Sequence, residues 1–409
     1  MRKKDKDTYV DPVHIDIWLT VILLLALGLM VVFSAGAYKA ASSEDYSFDV
    51  YYFLKRQAVF AIAGLVLMFF AQYVKITWLA KKLAIMIYLI SIISILLLNT
   101  SLGVTVNGAT RWLMIGGKNG IRFQVAELVK VGVIVMLAYI ITKYRRYRGS
   151  IKFTIYLWII ILIPAALLLI ISDDLSSTIV VLLCGFGITV FNTRTWKSHL
   201  AVVGAAVAFA ATYVWNIYMN MPSPEDVKLE KVPFRVARIA AWLDPQKYKD
   251  SAAFQTLNGL YGIGRGKVFG VGLGRSIQKL GPVPEAETDM IFTVLVEELG
   301  LVGAGILLFL YGFLAFLLVK VAIRAVNIDL WEAIFVEGVC LHIVGQALIN
   351  ISVCLGVIPN TGITLPFISY GGTSLLIVLT EIAVVLSIAR KQMVIRIRQL
   401  QRKREEIRY

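Results

Sequence analysis

The sequence predicts an all-α polytopic membrane protein with about ten transmembrane helices, cytoplasmic N- and C-termini, and a large extracytoplasmic loop between helices 7 and 8. Of its 409 residues, 58% are hydrophobic and only 16% are charged. Uncharged apolar runs recur along the chain, each close to the roughly 20 residues that a helix needs to cross the hydrocarbon core. Such runs must be helical, because lipid offers no hydrogen-bond partner for open backbone groups.

Ten apolar runs are long enough to be spans. Their predicted boundaries are 15–37, 57–74, 79–98, 123–142, 153–171, 175–192, 200–219, 299–319, 333–354 and 368–389. The fourth run has the weakest hydropathy, because Glu127 and Lys130 interrupt it. These two side chains are three residues apart on a helix, so they can face each other as a buried ion pair.

The distribution of basic residues predicts the orientation of these spans. With a cytoplasmic N-terminus, the inside segments hold 24 Lys and Arg, whereas the short outside loops hold six. This asymmetry agrees with the positive-inside rule, and the KYRRYRGSIK loop between spans four and five is its strongest single indication. The sequence MRKKDK before a full-length span predicts an uncleaved first helix.

The net charge of +15 comes largely from cytoplasmic loops and from the basic tail at about 390–409. These segments face anionic membrane lipid, which argues against nucleic acid as a partner. The three cysteines, Cys184, Cys340 and Cys354, lie in or beside spans and form no CxxC spacing. They predict neither a disulfide framework nor a metal site.

The extracytoplasmic loop, at about 220–288, is the longest stretch outside the membrane, so function is expected to gather there. An amphipathic stretch from Phe234 to Leu243 can lie along the membrane surface, although a solvated linker is the interpretation that this part favours alone. The glycine-rich GLYGIGRGKVFGVGLGRSIQK that follows can cradle phosphate or form a membrane-surface loop. It lacks the spacing of a nucleotide-binding loop.

Three carboxylates, Glu285, Glu287 and Asp289, alternate in GPVPEAETDM just before the eighth span. Acidic residues suit a helix N-terminus with Thr288 or Asp289 as the cap, and this interpretation fits Glu285 and Glu287. A catalytic base needs one carboxylate above a lipid-accessible groove, next to basic residues. Asp289 fits that position best.

Two further features concern the last spans. His342, Gln346 and Asn350 form a polar stripe that serves either as interhelical hydrogen-bonding surface or as a substrate path. The uncharged PNTGITLPFISYGGTSLL, with its prolines and glycines, predicts a broken segment that lines a cavity between spans nine and ten. Glu381 in the last span has no partner that the sequence identifies.

These segments carry a family resemblance. NTGITLPFISYGGTSLL, GVGLGRSIQKLGPVPEAETDMIFTVLVEELGL, and NGATRWLMIGG with QVAELVK resemble the SEDS family of shape, elongation, division and sporulation proteins, which includes FtsW, RodA and SpoVE. The wording of RSIQK and PEAETD is closer to the division and sporulation branch of FtsW and SpoVE. The resemblance extends over almost the whole chain, so residues 1–409 are expected to form a single domain.

The resemblance implies a peptidoglycan glycosyltransferase of the bacterial cytoplasmic membrane. It would polymerise lipid II into β-1,4 glycan strands with release of undecaprenyl pyrophosphate. Its implied partners are a class B penicillin-binding transpeptidase, the undecaprenyl-linked glycan, membrane lipid, and divisome or sporulation proteins. The family's essential acid corresponds to Asp289, which would act as general base on a sugar 4-hydroxyl.

The departing pyrophosphate needs positive charge. The sequence offers Arg111, Lys267, Arg275 and Lys279 as candidates, and a divalent cation, Mg²⁺ or Mn²⁺, is an alternative that the sequence does not assign to any ligand. The remaining candidates for substrate binding are Glu127, Lys130, Ser369, Tyr370, Gly371 and Gly372.

The chain departs from the family pattern at three places. Glu287 stands where the family usually has His, Val125 and Ala126 stand for Pro-Ser, and Asp173 and Ser176 replace Pro and Gly.

Two alternative functions stay open. A lipid II flippase would depend on polar groups at the bilayer midplane and would tolerate loss of Asp289. An inactive scaffold that activates a class B penicillin-binding protein would also keep its role without Asp289.

Overall fold

A computed structural model of the chain describes residues 13–74, 76–106, 109–115, 121–229 and 231–406. The MRKKDK segment, part of the NGATRWLMIGG stretch and the end of the basic tail lie outside the described residues. The helices are α1 (Val13–Ser42), α2 (Tyr52–Ala71), α3 (Ile76–Lys82), α4 (Ala84–Leu97), α5 (Val125–Lys143), α6 (Ile151–Ile171), α7 (Leu175–Asn192), α8 (Trp196–Met219), α9 (Pro224–Lys228), α10 (Phe234–Leu243), α11 (Phe254–Gly266), α12 (Ile291–Val326), α13 (Leu330–Cys354) and α14 (Gly372–Glu406).

The predicted number of spans is confirmed. Nine helices in the described part of the chain are long and apolar enough to cross a membrane. Helices α3 and α4, which meet at a 68° bend, bring the number to ten if they count as one span. The last span begins at Gly372 instead of near residue 368, because the chain turns through Pro366 to Tyr370 before it becomes helical.

Helices α5, α13 and α14 form the centre of the bundle, whereas α8 is exposed along nearly its whole length. Small residues allow close approach of the central helices. A Cβ at Gly338 of α13 would lie 2.5 Å from the side chain of Ile134 on α5, so this crossing requires glycine. The polar side chains of α13 are therefore placed in the middle of the protein.

A small antiparallel sheet lies between α4 and α5, and the prediction of an all-α fold does not include it. Its strands are β1 (Gly103–Val106), β2 (Ala109–Ile115) and β3 (Ile121–Gln124), in the order β1-β2-β3. Trp112 pairs with Gln124, which is also the N-cap of α5. The sheet thus fixes Arg111 of β2 relative to the membrane-spanning helices.

The extracytoplasmic loop is folded. The amphipathic stretch forms α10, with Ala237, Ala240 and Ala241 buried against Ile217 and Tyr248. The interpretation of this part as a solvated linker is therefore wrong, because the apolar face of α10 has partners from the end of α8 and from the segment before α11.

Helix α12 starts at Ile291, before the uncharged run, and breaks at Gly300. This glycine has φ 68° and ψ −166°, which is not helical. A Cβ there would lie 2.3 Å from the backbone nitrogen of Gly270, so the glycine-rich loop packs directly against the break. Only glycine tolerates both the conformation and the contact.

The loop after α11 supplies hydrogen bonds to the broken helix. The N–H groups of Val271 and Gly272 donate to the carbonyls of Glu297 and Glu298, both at 3.0 Å. The N–H of Leu301 donates to the carbonyl of Lys267 at 2.9 Å. These loop amides close the helix break, so they are not free to cradle a phosphate.

Candidate active site

Asp289 lies in the turn immediately before α12. The N-cap of this helix is Met290, which forms no side-chain cap, so the interpretation of Thr288 or Asp289 as the cap is wrong. The hydroxyl of Thr288 instead donates to the carbonyl of Glu285 at 3.1 Å. Asp289 is 8% exposed, and its Oδ1 accepts a long bond of 3.5 Å from Gln255 of α11. Its carboxylate is therefore buried without serving as a cap.

Three consecutive backbone carbonyls hold the turn in place. Each accepts a hydrogen bond from α13 or from residues 355–371, the return segment that joins α13 to α14. The bonds run from Tyr370 N–H to Glu287 at 2.9 Å, from Ser369 Oγ to Thr288 at 2.5 Å, and from Asn350 Nδ2 to Asp289 at 2.8 Å. The last two spans thus position the acid through its main chain.

The sequence candidates in SYGG support the turn from the return segment. Gln57 of α2 donates to the carbonyl of Ser369 at 3.0 Å and accepts from the N–H of Gly371 at 3.2 Å. A Cβ at Gly372 would lie 2.2 Å from the ring of Phe60. The structure therefore brings four predicted substrate-binding residues beside the Asp289 turn, where they hold the backbone: Ser369, Tyr370, Gly371 and Gly372.

Gly362 of the return segment marks a space that three charged side chains share. A Cβ placed on Gly362 would lie 3.4 Å from Nη1 of Arg111, 3.7 Å from Oδ2 of Asp289 and 4.0 Å from Nη1 of Arg238. Gly362 has φ +70°, a conformation that favours glycine. One carboxylate and two guanidinium groups therefore face the same small volume.

The two arginines reach this space from different elements. Arg111 of β2 donates from Nη2 to the carbonyl of Asp173 at 3.2 Å. Arg238 of α10 donates to the carbonyl of Asn360 at 3.0 Å and stacks on the ring of Phe234, with its Cζ 4.0 Å from the ring centre. Each guanidinium keeps further N–H donors, because the group carries five.

Asp173, just before α7, contacts Arg111 and a third arginine, Arg235. Its carboxylate forms an ion pair with Arg235, which lies one helical turn before Arg238 on α10. Arg235 also donates to the carbonyl of Leu169 at 2.6 Å. Because Asp173 contacts both Arg111 and Arg235, it ties the sheet and α10 to the start of α7.

The surroundings of Asp289 change its acidity. Burial, reinforced by the negative charge of Glu285, raises the pKa of Asp289 from 3.8 to about 7, against the opposing effect of Arg238. Burial also lowers the pKa of Arg238 to about 10, which leaves it charged at neutral pH. A carboxyl that titrates near pH 7 can accept a proton in one step and release it in the next.

Comparison with known proteins decides the family. The cell cycle protein family FtsW/RodA/SpoVE matches residues 15–394. The chain belongs to this family. It is a multi-pass protein of the bacterial cytoplasmic membrane, and the predicted SEDS membership is confirmed.

Several SEDS relatives are similar over most of their length. Stage V sporulation protein E of Bacillus subtilis is 33% identical over 376 residues, which cover 90% of this chain and 94% of the relative. A protein of Thioalkalivibrio sulfidiphilus named probable peptidoglycan glycosyltransferase FtsW is 33% identical over 382 residues, with 92% and 90% covered.

Two solved structures share the fold. A chain of a peptidoglycan synthase complex aligns with a TM-score of 0.70 at 26% identity, covering 92% of this chain and 97% of that one. The rod shape determining protein RodA of Thermus thermophilus aligns with a TM-score of 0.62 at 25% identity, covering 92% and 96%. The all-helical membrane architecture is therefore confirmed as RodA-like.

The departures from the SEDS pattern have local partners in this chain. Glu287 is buried and pairs with Lys39 of α1 at 2.5 Å, and burial raises the pKa of Glu287 against the effect of that ammonium. Ser176 donates to the carbonyl of Thr361 at 2.7 Å, next to Gly362. Lys39 of α1 and Ser176 of α7 therefore pack against the site.

The other sequence candidates for pyrophosphate binding lie apart from Asp289. Lys279 forms a buried ion pair with Glu298 at 2.7 Å and also contacts Ser34 of α1. Lys267 and Arg275 lie in the loop beside the break of α12. Of the predicted basic ligands, the structure brings only Arg111 into the space at Gly362.

Glu127 and Lys130 lie inside the membrane and form the predicted pair, at 2.7 Å. Lys130 also donates to Gln346. His342 lies between Gln346 and Glu381, and its Nδ1 is 2.9 Å from the carboxylate of Glu381. Glu381 therefore has a partner that the sequence does not identify. Gln346 continues the network by donating to the carbonyl of Thr364 in the return segment at 3.1 Å.

The sequence motifs do not indicate Arg235 and Arg238 as site residues. The available signal is their spacing of three on an amphipathic helix, which places both on the polar face. No group of three or more His, Cys, Asp or Glu within the described ranges is placed to hold a metal ion. One carboxylate beside two guanidinium groups does not fit a cation site.

Proposed function

We propose that this SEDS protein is a peptidoglycan glycosyltransferase that polymerises lipid II into β-1,4 glycan strands and releases undecaprenyl pyrophosphate. The observation that carries the proposal is the space at Gly362, where Asp289, Arg111 and Arg238 meet. A group that accepts a proton and two groups that stabilise anionic phosphate are the parts that this reaction needs.

Asp289 acts as the general base. It takes the proton of the acceptor's 4-hydroxyl as that oxygen attacks the anomeric carbon of the donor glycan. The new C–O bond forms with inversion while the bond from the anomeric carbon to the pyrophosphate oxygen breaks. The held backbone of Glu287 to Asp289 keeps the carboxylate in position, which lowers the cost of reaching the transition state.

Arg111 and Arg238 bind the departing pyrophosphate. Charge accumulates on its oxygens as the bond breaks, and guanidinium groups bind phosphate oxygens in pairs of N–H donors. Both arginines are already held by backbone carbonyls, so they need little rearrangement when the charge develops. A divalent cation stays a prediction from the resemblance and has no role in this scheme.

A class B penicillin-binding transpeptidase is the proposed partner. One structural relative is a chain of a peptidoglycan synthase complex that coordinates polymerisation and crosslinking. One relative is named as a sporulation protein and another is named FtsW, and these names support a role in septum synthesis during division or sporulation.

The experiment is polymerisation of labelled lipid II by the purified protein reconstituted with its cognate transpeptidase. Wild type is expected to make glycan strands, and Asp289→Asn is expected to make none above background. Asp250→Asn removes an exposed acid from the same extracytoplasmic segment and serves as the matched control. It should retain wild-type product length.

Other outcomes point to the alternative functions. Equal polymer from wild type and Asp289→Asn would remove Asp289 from the mechanism. No polymer from either protein, with lipid II translocation intact, would favour a flippase, and partner activation without polymer would favour a scaffold.

A further inference from the structure

A cavity lies at the end of the bundle opposite Asp289. It has a volume of about 460 Å³ and is lined by His14, Trp18, Phe69, Gln72, Tyr73, Arg390 and Met393. Helix α1 joins the two regions, because His14 lines the cavity and Lys39 contacts Glu287. At ~1.5 Å rise per residue, these two positions are roughly 37 Å apart, so the cavity is separate from the candidate active site.

The residues that line this cavity are of the types found at the membrane–water boundary. They come from the start of α1, the end of α2 and the middle of α14. Phe69 and Tyr73 are 49% and 60% exposed, and Trp18 lies beside them. Aromatic side chains at helix ends sit at the level of lipid head groups.

The cavity carries a positive charge with an unused donor. The guanidinium of Arg390 stacks on Tyr73, with its Cζ 3.8 Å from the ring centre. Its Nη1 is buried and has no hydrogen-bond partner among the described residues. A buried N–H of a charged group favours an anionic oxygen as its acceptor.

Further basic side chains lie next to this cavity. A smaller adjoining pocket shares His14 and Met393 and is also lined by Arg324 and Arg396. Two carboxylates near this end of the bundle are already paired, Asp329 with Lys81 and Glu332 with Lys391. His14 itself contacts Gln72 at 2.7 Å, so it closes one wall.

We propose that this cavity binds the head group of an acidic phospholipid from the cytoplasmic leaflet. The lipid phosphate pairs with the guanidinium of Arg390, which lines the cavity. Its acyl chains run along the adjacent lipid-facing surface of α1, where Ile15 and Leu19 are 57% and 55% exposed. A soluble phosphate would gain nothing from this apolar surface, whereas basic pockets at the cytoplasmic ends of helices suit anionic lipid head groups.

The test uses native mass spectrometry of the full-length protein in detergent. The probes are phosphatidylglycerol and phosphatidylcholine with the same acyl chains. Wild type is expected to retain phosphatidylglycerol in preference to phosphatidylcholine, and Arg390→Gln to weaken that binding about tenfold, since a charge-assisted hydrogen bond is lost. Arg398→Gln, an exposed arginine further along α14, is the matched control and should bind as wild type does.

A second variant keeps the test decisive if Arg390→Gln does not fold. Tyr73→Leu changes an exposed ring and removes the platform of Arg390, so phosphatidylglycerol binding should also weaken. Equal binding of both lipids, or equal loss in Arg390→Gln and Arg398→Gln, would overturn the proposal. Displacement of the lipid by equimolar inorganic phosphate would identify a soluble anion instead. Lipid binding only after deletion of residues 1–12 would show that the chain's own terminus fills the cavity.

Discussion

The side-chain amide of Asn350 donates a hydrogen bond of 2.8 Å to the backbone carbonyl of Asp289. The same amide donates to the carbonyl of Ile363 at 2.6 Å, next to Gly362. One side chain of α13 therefore fixes the acid and the space that the acid faces. The polar stripe of α13 serves as hydrogen-bonding surface at this position, and its other members connect to α5 and α14.

Asn350→Leu should lower polymerisation about 10- to 100-fold, because a small displacement of a catalytic group has effects of that size. The loss is expected in kcat more than in KM, since Asn350 holds the base through the backbone carbonyl of Asp289. Steady-state kinetics on lipid II measures the split. Asn220→Leu, at an exposed position after α8, should have little effect. A rise in KM alone would contradict a positioning role.

Arg238→Gln should reduce kcat/KM by about 100-fold, the order found when one preorganised charge-stabilising donor is removed. Arg235→Gln should cost less, because Arg235 is already engaged by Asp173 and by the carbonyl of Leu169. The comparison requires equal amounts of folded protein, checked by size-exclusion chromatography. Equal losses in both variants would mean that α10 acts only through its fold.

Gly362→Ala should reduce activity at least tenfold while costing about 1–2 kcal/mol of stability, the usual strain of a left-handed alanine. Its methyl group would occupy the space between Arg111, Asp289 and Arg238. Gly356→Ala is the matched control, because Gly356 has φ +68° and the nearest neighbours of its Cβ would be the apolar side-chain atoms of Leu260 and Thr256, at 3.5 and 3.7 Å. Both variants should lose similar stability, and only Gly362→Ala should lose activity. Similar activity in the two would refute a substrate space at Gly362.

Lys39→Met should destabilise the protein by leaving the buried carboxylate of Glu287 without its cation. The cost is expected to be about 1–3 kcal/mol, below that of a fully buried pair, because the side chain of Lys39 is 35% exposed. Adding Glu287→Gln should recover most of the loss. Thermal unfolding in detergent measures both variants, and a double variant no more stable than Lys39→Met would show that the pair is not the cause.

Much of the membrane-spanning fold is predictable, because a bilayer allows few solutions for apolar segments of this length. Local spacing also predicts the pair of Glu127 and Lys130, since side chains three residues apart share a helix face. The partner of Glu381 is not predictable from local spacing. Its contact with His342 depends on how α13 and α14 pack, and nothing in either segment alone encodes that register.

The site is only partly predictable for the same reason. Asp289 and Arg111 come from motifs with a family resemblance, but Arg238 approaches them through the folding of α10 against the end of α8. The glycine-rich loop is misleading when taken alone, because its amides close the break at Gly300. The sheet that carries Arg111 is short and lies in a loop, where the apolar pattern is too brief to separate strand from coil.

The most direct test of Asp289 as the base is the pH dependence of kcat/KM for lipid II polymerisation. A base must be deprotonated to act, so with a pKa of about 7 the rate should rise roughly tenfold per pH unit below that value and level off above it. Arg238→Gln should move the rise to higher pH, because Arg238 opposes the upward shift of the Asp289 pKa. A wild-type profile that stays flat from about pH 5.5 to 8.5 would rule out Asp289 as the base.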